Sequence, residues 1–181
     1  YGMLDVDGKT VAEPVYSGFV DYSSGTAVFR SEAGDCIFVN AAGEIIATID
    51  GSFAGRMGMF SDGLALIEYN GLWGYVDTAG DFVIEPQYSA IDEVHQSWKW
   101  YVDWYGFESL YEFKDGVALM TRDGRFGCID KTGEFIVPPE FYDMYISGGL
   151  IVGKRNYKYE VFDQQGNQIV EPVWDMLSVS T

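Results

Sequence analysis

One segment recurs five times along this chain of 181 residues, and the recurrence restricts the fold more than any other feature. In its full form the segment opens on an aromatic residue, continues through an aspartate and a glycine three residues later, and closes on a proline followed by a second aromatic residue. The copies are YGMLDVDGKTVAEPVY from Tyr1, CIFVNAAGEIIATIDG from Cys36, WGYVDTAGDFVIEPQY from Trp73, FGCIDKTGEFIVPPEF from Phe126 and YEVFDQQGNQIVEPVW from Tyr159. Copy two has Cys36 for the first aromatic and Ile49 for the proline, and copy five has Glu160 for the glycine beside the aromatic.

Each of the last four copies, taken with the residues before it, predicts a three-stranded antiparallel meander. The apolar runs LALIEY and VALMTR end at Asn70-Gly71 and Asp123-Gly124, dipeptides that favour a type I′ hairpin turn. The next strand ends at D-x-x-G, where the aspartate side chain can cap the turn and the glycine takes a left-handed conformation. Positive φ is therefore expected at Gly80 and Gly133. A proline ends the third strand because it cannot donate a ladder hydrogen bond.

These meanders predict one all-β repeat domain over residues 1–181. We expect five antiparallel β-meander units of about 35 residues, stacked as a solenoid-like array. The alternative is a propeller-like ring, which requires a fourth strand in each unit. The units lie near 1–16, 25–51, 60–88, 113–142 and 147–174, with an aromatic insertion at 90–112.

The repeated aromatic residues predict a core between neighbouring meanders, with a ligand platform as the alternative. Trp73 and Trp174 stand at repeat positions, so we expect both to be buried. A glycine beside the aromatic, such as Gly74, lets a backbone or a ring approach closely.

The charge and composition exclude several classes of partner. Eleven Lys and Arg stand against 28 Asp and Glu, for a net charge of −17. Such a chain has no basic surface for nucleic acid or for anionic lipid. No apolar run reaches the roughly 20 residues of a transmembrane helix. The sequence indicates no cofactor, and its start at Tyr1 suggests a monomeric fragment of a longer chain.

Two long segments carry a family resemblance. FSDGLALIEYNGLWGYVDTAGDFVIEPQY (60–88) and FKDGVALMTRDGRFGCIDKTGEFIVPPEF (113–141) resemble the WG repeat, also called the KWG repeat, of bacterial proteins. The resemblance covers nearly the whole chain except about 90–112. The family occurs in bacterial surface and intracellular proteins, and the resemblance supplies no catalytic residues. With so few candidate catalytic residues, we expect a non-catalytic interaction module that binds a protein or serves as a scaffold. The implied setting is extracellular or the bacterial cell envelope, with the cytoplasm as the alternative.

The insertion is the predicted binding site. Its segment HQSWKWYVDWYGFESLYE (95–112) contains three of the five tryptophans of the protein. Insertions in repeat scaffolds often carry function, and clustered aromatics with carboxylates suit a peptide or a sugar. The alternative function is therefore binding of a carbohydrate or cell-wall glycan, and the alternative structure is an extra hairpin or a short helix that covers the core. The candidate residues are Trp98, Trp100, Tyr101, Asp103, Trp104, Tyr105 and Glu108.

The residues offer little for catalysis or for metal binding. His95 is the only histidine, and Cys36 and Cys128 fall on strand positions two units apart, so we expect two unpaired core thiols. The D-x-x-G segments are interpreted as turns, since DVDGK has Lys9 where an EF-hand loop needs a ligand. Glycoside hydrolysis by a pair of carboxylates near the tryptophans is retained as a third function. The carboxylates concerned are Asp92, Glu93, Asp103, Glu108 and Glu112.

Overall fold

The structure of the chain is a computed structural model that describes residues 1–52, 54–89 and 111–174, without the side chains of 89 and 171–174. The described residues form 17 β-strands. The chain divides into two compact units, Tyr1–Gln87 and Tyr88–Thr181, and the boundary falls within the strand Phe82–Ser89. The strands are β1 Met3–Leu4, β2 Thr10–Ala12, β3 Gly18–Ser23, β4 Thr26–Arg30, β5 Cys36–Asn40, β6 Ile45–Ile49, β7 Ala54–Met57, β8 Leu64–Tyr69, β9 Leu72–Asp77, β10 Phe82–Ser89, β11 Val117–Arg122, β12 Arg125–Asp130, β13 Phe135–Phe141, β14 Asp143–Ser147, β15 Leu150–Arg155, β16 Lys158–Phe162 and β17 Gln168–Trp174.

The strands pair in chain order into five small antiparallel sheets. These are β1-β2, β3-β4-β5-β6, β7-β8-β9-β10, β11-β12-β13 and β14-β15-β16-β17. The predicted all-β repeat fold built from antiparallel meanders is confirmed. The propeller-like ring is not confirmed and stays an alternative prediction.

The predicted count of three strands per meander is wrong for three of the sheets, which have four. The additional strands are β3, β7 and β14, each at the outer edge of its sheet. Edge strands bury little of their surface, and the burial of β3 and β7 follows no strict alternation. Their sequences therefore lack the period-two apolar pattern that reveals a half-buried strand.

The turns have the predicted chemistry. Asn70-Gly71 and Asp123-Gly124 have positive φ at both residues, as a type I′ turn requires. Gly80 and Gly133 have φ of 86° and 85°. In the D-x-x-G turn of Asp77, the carboxylate Oδ1 accepts hydrogen bonds from the backbone N–H groups of Ala79 and Asp81. The side chain thus satisfies turn donors that a hairpin of this length leaves unpaired.

In the first unit, successive sheets pack face to face. Val28 and Phe38 of the second sheet pack against Ala65, Ile67 and Val76 of the third, and all five are fully buried. A smaller core joins the first sheet to the other face of the second, where Met3 and Tyr16 contact Phe29.

Aromatic residues that follow the repeat proline extend onto the next sheet. The ring of Tyr16 stacks on Phe29 with centroids 4.4 Å apart. In the second unit the ring of Phe141 lies 5.7 Å from that of Phe162. Tyr88 approaches Phe135 and donates a hydrogen bond to the carbonyl of Gly133 at 2.6 Å. The aromatic core predicted between meanders is confirmed at these positions.

The aromatic residues that open each copy are less uniform. Trp73 and Phe126 are 2% exposed, as predicted for a core residue. Tyr159 is half-buried and Tyr1 is 65% exposed, so burial at this position is not general. The side chain of Trp174 lies outside the described residues.

The glycine beside the aromatic faces a bulge in the next strand. Phe126 pairs with Phe141 and Cys128 with Val137, so Gly127 alone lies opposite the three residues 138–140. A Cβ on Gly74 would lie 2.5 Å from the carbonyl oxygen of Ile84, so only glycine fits there without a shift. Copy two lacks both this glycine and the proline, and its strands pair at this point without a bulge. The bulge therefore accompanies the proline, and copy five keeps both although Glu160 replaces its glycine.

Candidate functional site

The predicted binding residues of the insertion lie outside the described residues. These are Trp98, Trp100, Tyr101, Asp103, Trp104, Tyr105 and Glu108, and the carboxylates Asp92 and Glu93 lie outside them as well. The insertion site stays a prediction.

The turns and cysteines have structural roles where they are described. The side chains of Asp5, Asp77, Asp130 and Asp163 accept backbone hydrogen bonds within their own turns. The described residues contain no cluster of histidine, cysteine and carboxylate side chains that could hold a metal ion. Cys36 and Cys128 are buried free thiols, as predicted, and burial raises the pKa of Cys128 to about 12. Over the same ranges no helix has the length and apolar character of a membrane span.

A cleft of about 710 Å³ opens in the second unit, where the β15–β16 hairpin meets the ends of β12 and β13. Three cationic and two anionic side chains line it, so its local charge is +1 in a chain whose net charge is −17. The lining residues are Arg125, Pro139, Glu140, Tyr142, Arg155, Asn156, Lys158 and Glu160.

Glu160 anchors the inner side of the cleft. It occupies the position of the repeat glycine and is only 2% exposed. The Nε of Arg155 donates to its Oε1 at 2.7 Å and the Nη2 to its Oε2 at 3.0 Å, a two-pronged ion pair. Arg155 also contacts the carboxylate of Glu140 through Nη1. Hydrogen bonding to Glu160 raises the pKa of Arg155, so the charge of Arg155 is fixed and fully balanced by two carboxylates.

Arg125 is a cation of the cleft that has an unsatisfied hydrogen-bond donor. Its Nη1 is buried and has no hydrogen-bond partner among the described residues. The guanidinium carbon lies 3.5 Å from the centre of the Tyr142 ring, so one face of the group is covered by an aromatic surface. A ring face holds the group in place but does not replace a hydrogen-bond acceptor.

The hairpin that forms the rim of the cleft has an unusual turn. Asn156 and Tyr157 have φ of 50° and 64°, and Tyr157 stands where the other hairpins have Gly71 and Gly124. A bulky residue in the left-handed region is strained, and such residues concentrate at functional sites. Tyr157 is 86% exposed, so its ring is presented to solvent beside two lining residues, Asn156 and Lys158.

Sequence reasoning did not identify this cleft. Its three cations come from three different strands, and no spacing pattern predicts that they meet. Two departures from the repeat lie at the cleft: Glu160 in the glycine position, and Asn156-Tyr157 where copies three and four have Asn-Gly and Asp-Gly. In a repeat protein, such departures identify positions at which one unit does not follow the structural pattern that the other units share.

The sequence matches the WG containing repeat at residues 1–32, 55–73, 73–98 and 126–159, together more than half of the chain. The chain belongs to the WG containing repeat family. The resemblance inferred from residues 60–88 and 113–141 is therefore confirmed, and this WG-repeat protein is a β-repeat module. A search of curated proteins found no match.

Several solved structures are similar to the WG-repeat chain. The computationally designed Ika4 protein is 13% identical with a TM-score of 0.45, over 90% of this chain and 98% of that one. The computationally designed Ika8 protein is 16% identical with a TM-score of 0.44, over 85% of this chain and 48% of that one. BamB from Moraxella catarrhalis is 15% identical with a TM-score of 0.44, over 88% of this chain and 51% of that one. The chain thus spans about half the length of the Ika8 and BamB chains.

Proposed function

We propose that this WG-repeat chain is a non-catalytic protein-binding module whose second unit captures an acidic side chain of a partner. The observation that carries the proposal is the buried Nη1 of Arg125, which has no hydrogen-bond partner among the described residues. A buried charged donor without an acceptor costs free energy, typically about 1–3 kcal/mol or more. Because this atom is closed to solvent, a carboxylate that enters the cleft must displace the group that covers Nη1, and it then removes the cost by accepting a charge-assisted hydrogen bond.

The surrounding charges favour a carboxylate at Arg125 over one at Arg155. Arg155 already pairs with Glu160 and Glu140, so an added anion there would displace an internal carboxylate. Arg125 has no such internal anion within the described chain, and its guanidinium presents a planar fork that matches a carboxylate. The rest of the acidic protein repels anions, so a carboxylate is favoured chiefly at this local positive charge.

The exposed ring of Tyr157 supplies the apolar part of the contact. Tyrosine offers a large contact area with few rotatable bonds and is enriched at protein interfaces. Keeping it at φ 64°, where the other hairpins have glycine, is strained. Contact with a partner explains why the strain is retained.

The proposal is tested with two blocked tripeptides, Gly-Glu-Gly and Gly-Gln-Gly, followed by NMR of arginine Nε–Hε groups. The glutamate peptide is expected to bind with a dissociation constant of about 1 mM, near −4 kcal/mol, and to shift the Arg125 signal. Arg125→Gln should abolish the shift. Arg122→Gln is the matched control, because it removes the same charge from an exposed residue that does not line the cleft.

Equal shifts from the glutamate and glutamine peptides, or a response that survives Arg125→Gln, would show that the cleft does not recognise a carboxylate. D-glucuronate is the third ligand in the experiment. If it binds at Arg125 more tightly than the glutamate peptide does, the ligand class is an acidic glycan and the protein-binding proposal is wrong.

Glycan binding through the aromatic insertion remains the alternative function, and an envelope or secreted location remains a prediction. A polysaccharide pull-down that compares the wild type with Trp98→Ala/Trp100→Ala/Trp104→Ala tests the first. Retention that the triple substitution removes would favour the glycan function. Fractionation of the producing cells tests the location.

A further inference from the structure

Strand β6 is an edge strand that lacks the proline of its counterparts. The strands β6, β10, β13 and β17 each lie at one end of the strand order of their sheets. Pro86, Pro139 and Pro172 lie within the last three of these strands, at the repeat position where β6 has Ile49. Proline on an edge strand removes a backbone donor and so opposes the addition of another strand. The edge of β6 has no such protection.

The pairing of β6 is also more regular than that of β13 and β17. Those two strands have a bulge at the repeat proline, in addition to an irregularity near the turn that β6 shares. In β6 the consecutive residues Ala47, Thr48 and Ile49 pair with consecutive residues of β5. A regular strand directs alternate N–H and C=O groups to its outer edge, and the outer edge of β6 has no paired strand among the described residues. Such an edge is a template for strand addition.

Apolar side chains are exposed along β6, although the strand is anchored in the core. Ile49 is 7% exposed and packs with buried residues of the second and third sheets. Ile45 and Ile46, by contrast, are 59% and 45% exposed, and Thr48 is exposed as well. β-Branched residues such as these favour pairing in a sheet, where neighbouring strands cover them. The open edge therefore carries side chains suited to a further strand.

The charges at the two ends of β6 determine which strand fits. Glu44 and Asp50 are exposed and flank the five uncharged residues of β6. A hydrogen bond from Ser52 lowers the pKa of Asp50, so this carboxylate is ionised at neutral pH. A second copy of this chain, paired antiparallel about Ala47, would place Glu44 opposite Asp50, and like charges directly opposite are destabilising. Cations at these two places would be attracted instead.

We propose that the outer edge of β6 binds an extended strand of a basic partner protein by antiparallel strand addition. The strand that fits has an uncharged centre as long as the five residues of β6, with a lysine or arginine on each side. Backbone hydrogen bonds supply affinity, and the cations opposite Glu44 and Asp50 supply specificity. This surface goes beyond the proposed function, which concerns an acidic side chain in the cleft of the second unit, and it rests on different residues.

The test uses a labelled, terminally blocked peptide, KVTVTVK, and measures its fluorescence anisotropy against the intact protein. We expect saturable binding that weakens as the NaCl concentration rises, because salt screens exposed charges. The charge-reversed peptide EVTVTVE should bind at least about tenfold more weakly. KVPPTVK keeps both lysines but loses a backbone donor on each edge, so its binding should fall to a similar degree.

Ile46→Lys in the protein should weaken the binding of KVTVTVK at least about tenfold, because a lysine on the edge repels the basic strand. Val83→Lys is the matched control. Val83 has the same repeat position on β10 and is 44% exposed, but its strand contains the repeat proline. This variant adds the same charge and should change the binding less than about twofold. Hydrogen exchange measured by NMR should show new amide protection in β6 when the peptide binds.

The proposal is overturned if KVTVTVK does not bind, or if EVTVTVE or KVPPTVK binds equally well. Equal effects of Ile46→Lys and Val83→Lys would also overturn it. So would dimers of the protein alone that Ile46→Lys dissociates, because a second copy of this chain would then cover the edge. Arg125→Gln should leave the binding of KVTVTVK unchanged, so failure of the cleft proposal is distinguishable from failure of this one.

Discussion

The glycine that ends each D-x-x-G turn has two separate constraints, one from its backbone and one from its neighbours. Gly8 and Gly80 have φ of 80° and 86°, a region in which a Cβ is strained. They differ in their surroundings. A Cβ on Gly80 would lie 2.5 Å from the Cβ of Ala47 in the preceding sheet, whereas a Cβ on Gly8 would meet nothing within 4 Å. The turn glycine thus sets the close approach of one sheet to the one before it.

Gly80→Ala and Gly8→Ala separate these constraints. Gly8→Ala should lower the free energy of unfolding by about 1–2 kcal/mol, the cost of a left-handed non-glycine residue. Gly80→Ala should lower it by a further amount of about 1–3 kcal/mol, because the preceding sheet must move. Urea denaturation of both variants measures the difference. Equal losses would mean that the turn does not fix the spacing between the two sheets.

Tyr88 gives a pH-dependent test of sheet packing in the second unit. Burial, as the largest cause, raises the pKa of its hydroxyl from 10.0 to about 12. Because the folded pKa lies above the unfolded one, the stabilisation by Tyr88 is fully present below pH 10 and is lost as the pH rises toward about 12.

Tyr88→Phe should remove this dependence. It should also cost about 1 kcal/mol at neutral pH, since the hydrogen bond to the Gly133 carbonyl is lost. Urea denaturation of the wild type and Tyr88→Phe at pH 7, 10 and 11.5 measures both effects. A gap between the two proteins that stays constant across this range would show that Tyr88 titrates normally.

In copies three and four a glycine of the second strand faces the proline bulge of the third, and copy five keeps the bulge but has an ion-paired glutamate in place of the glycine. Gly127 faces the bulge of β13, while Glu160 of β16 occupies the equivalent position and pairs with Arg155 of β15. A buried carboxylate is tolerated only with its partner, because an unpaired buried charge is strongly destabilising. The β15–β16 hairpin therefore depends on Arg155 in a way that the β11–β12 hairpin does not.

Arg155→Met should lower the free energy of unfolding by about 3–5 kcal/mol, because Glu160 is left buried without a cation. Glu140→Gln should cost less than about 1 kcal/mol, since Glu140 is exposed and its ion pair is screened by solvent. The double variant Arg155→Met/Glu160→Gly restores the repeat glycine and should recover a large part of the loss. Thermal and urea denaturation of the three variants would contradict this account if the double variant were the least stable.

Across the whole molecule, repeat positions provide the core and departures from the repeat provide the candidate sites. Trp73 at a repeat position is 2% exposed, whereas the cleft is built around the departures of copy five. The insertion at 90–112 is the largest departure in the sequence. By the same reasoning its tryptophans are predicted to be accessible to solvent.

Acrylamide quenching of tryptophan fluorescence tests this prediction, with Trp73 as the internal reference for a buried ring. Trp73→Ala should lower the free energy of unfolding by about 3–5 kcal/mol, and the melting temperature should fall sharply as a result. Trp100→Ala or Trp104→Ala should barely change it. Insertion tryptophans that are as protected and as destabilising to remove as Trp73 would belong to the core, and the predicted binding site there would be wrong.

Local sequence predicted the turns and the inner strands well, and it predicted the edge strands and the cleft poorly. Asn70-Gly71 and Gly80 follow from the chemistry of two and four neighbouring residues, so a single sequence suffices. Strand β3 is half exposed and has no regular apolar pattern, so its pairing to β4 depends on a partner already in place. Arg125 and Arg155 lie 30 residues apart, and only the packing of two sheets brings them to one cleft.

By itself the sequence determined the family, the five copies and the turn conformations. These properties depend on backbone sterics and hydrogen bonding over a few residues. The repeat shows the same local pattern in several copies, so a single sequence reveals it. The tertiary structure alone decided that three of the five sheets have four strands and that one arginine is left with an unpaired buried donor. Those properties depend on which surfaces meet at long range, and no local pattern in the chain records that.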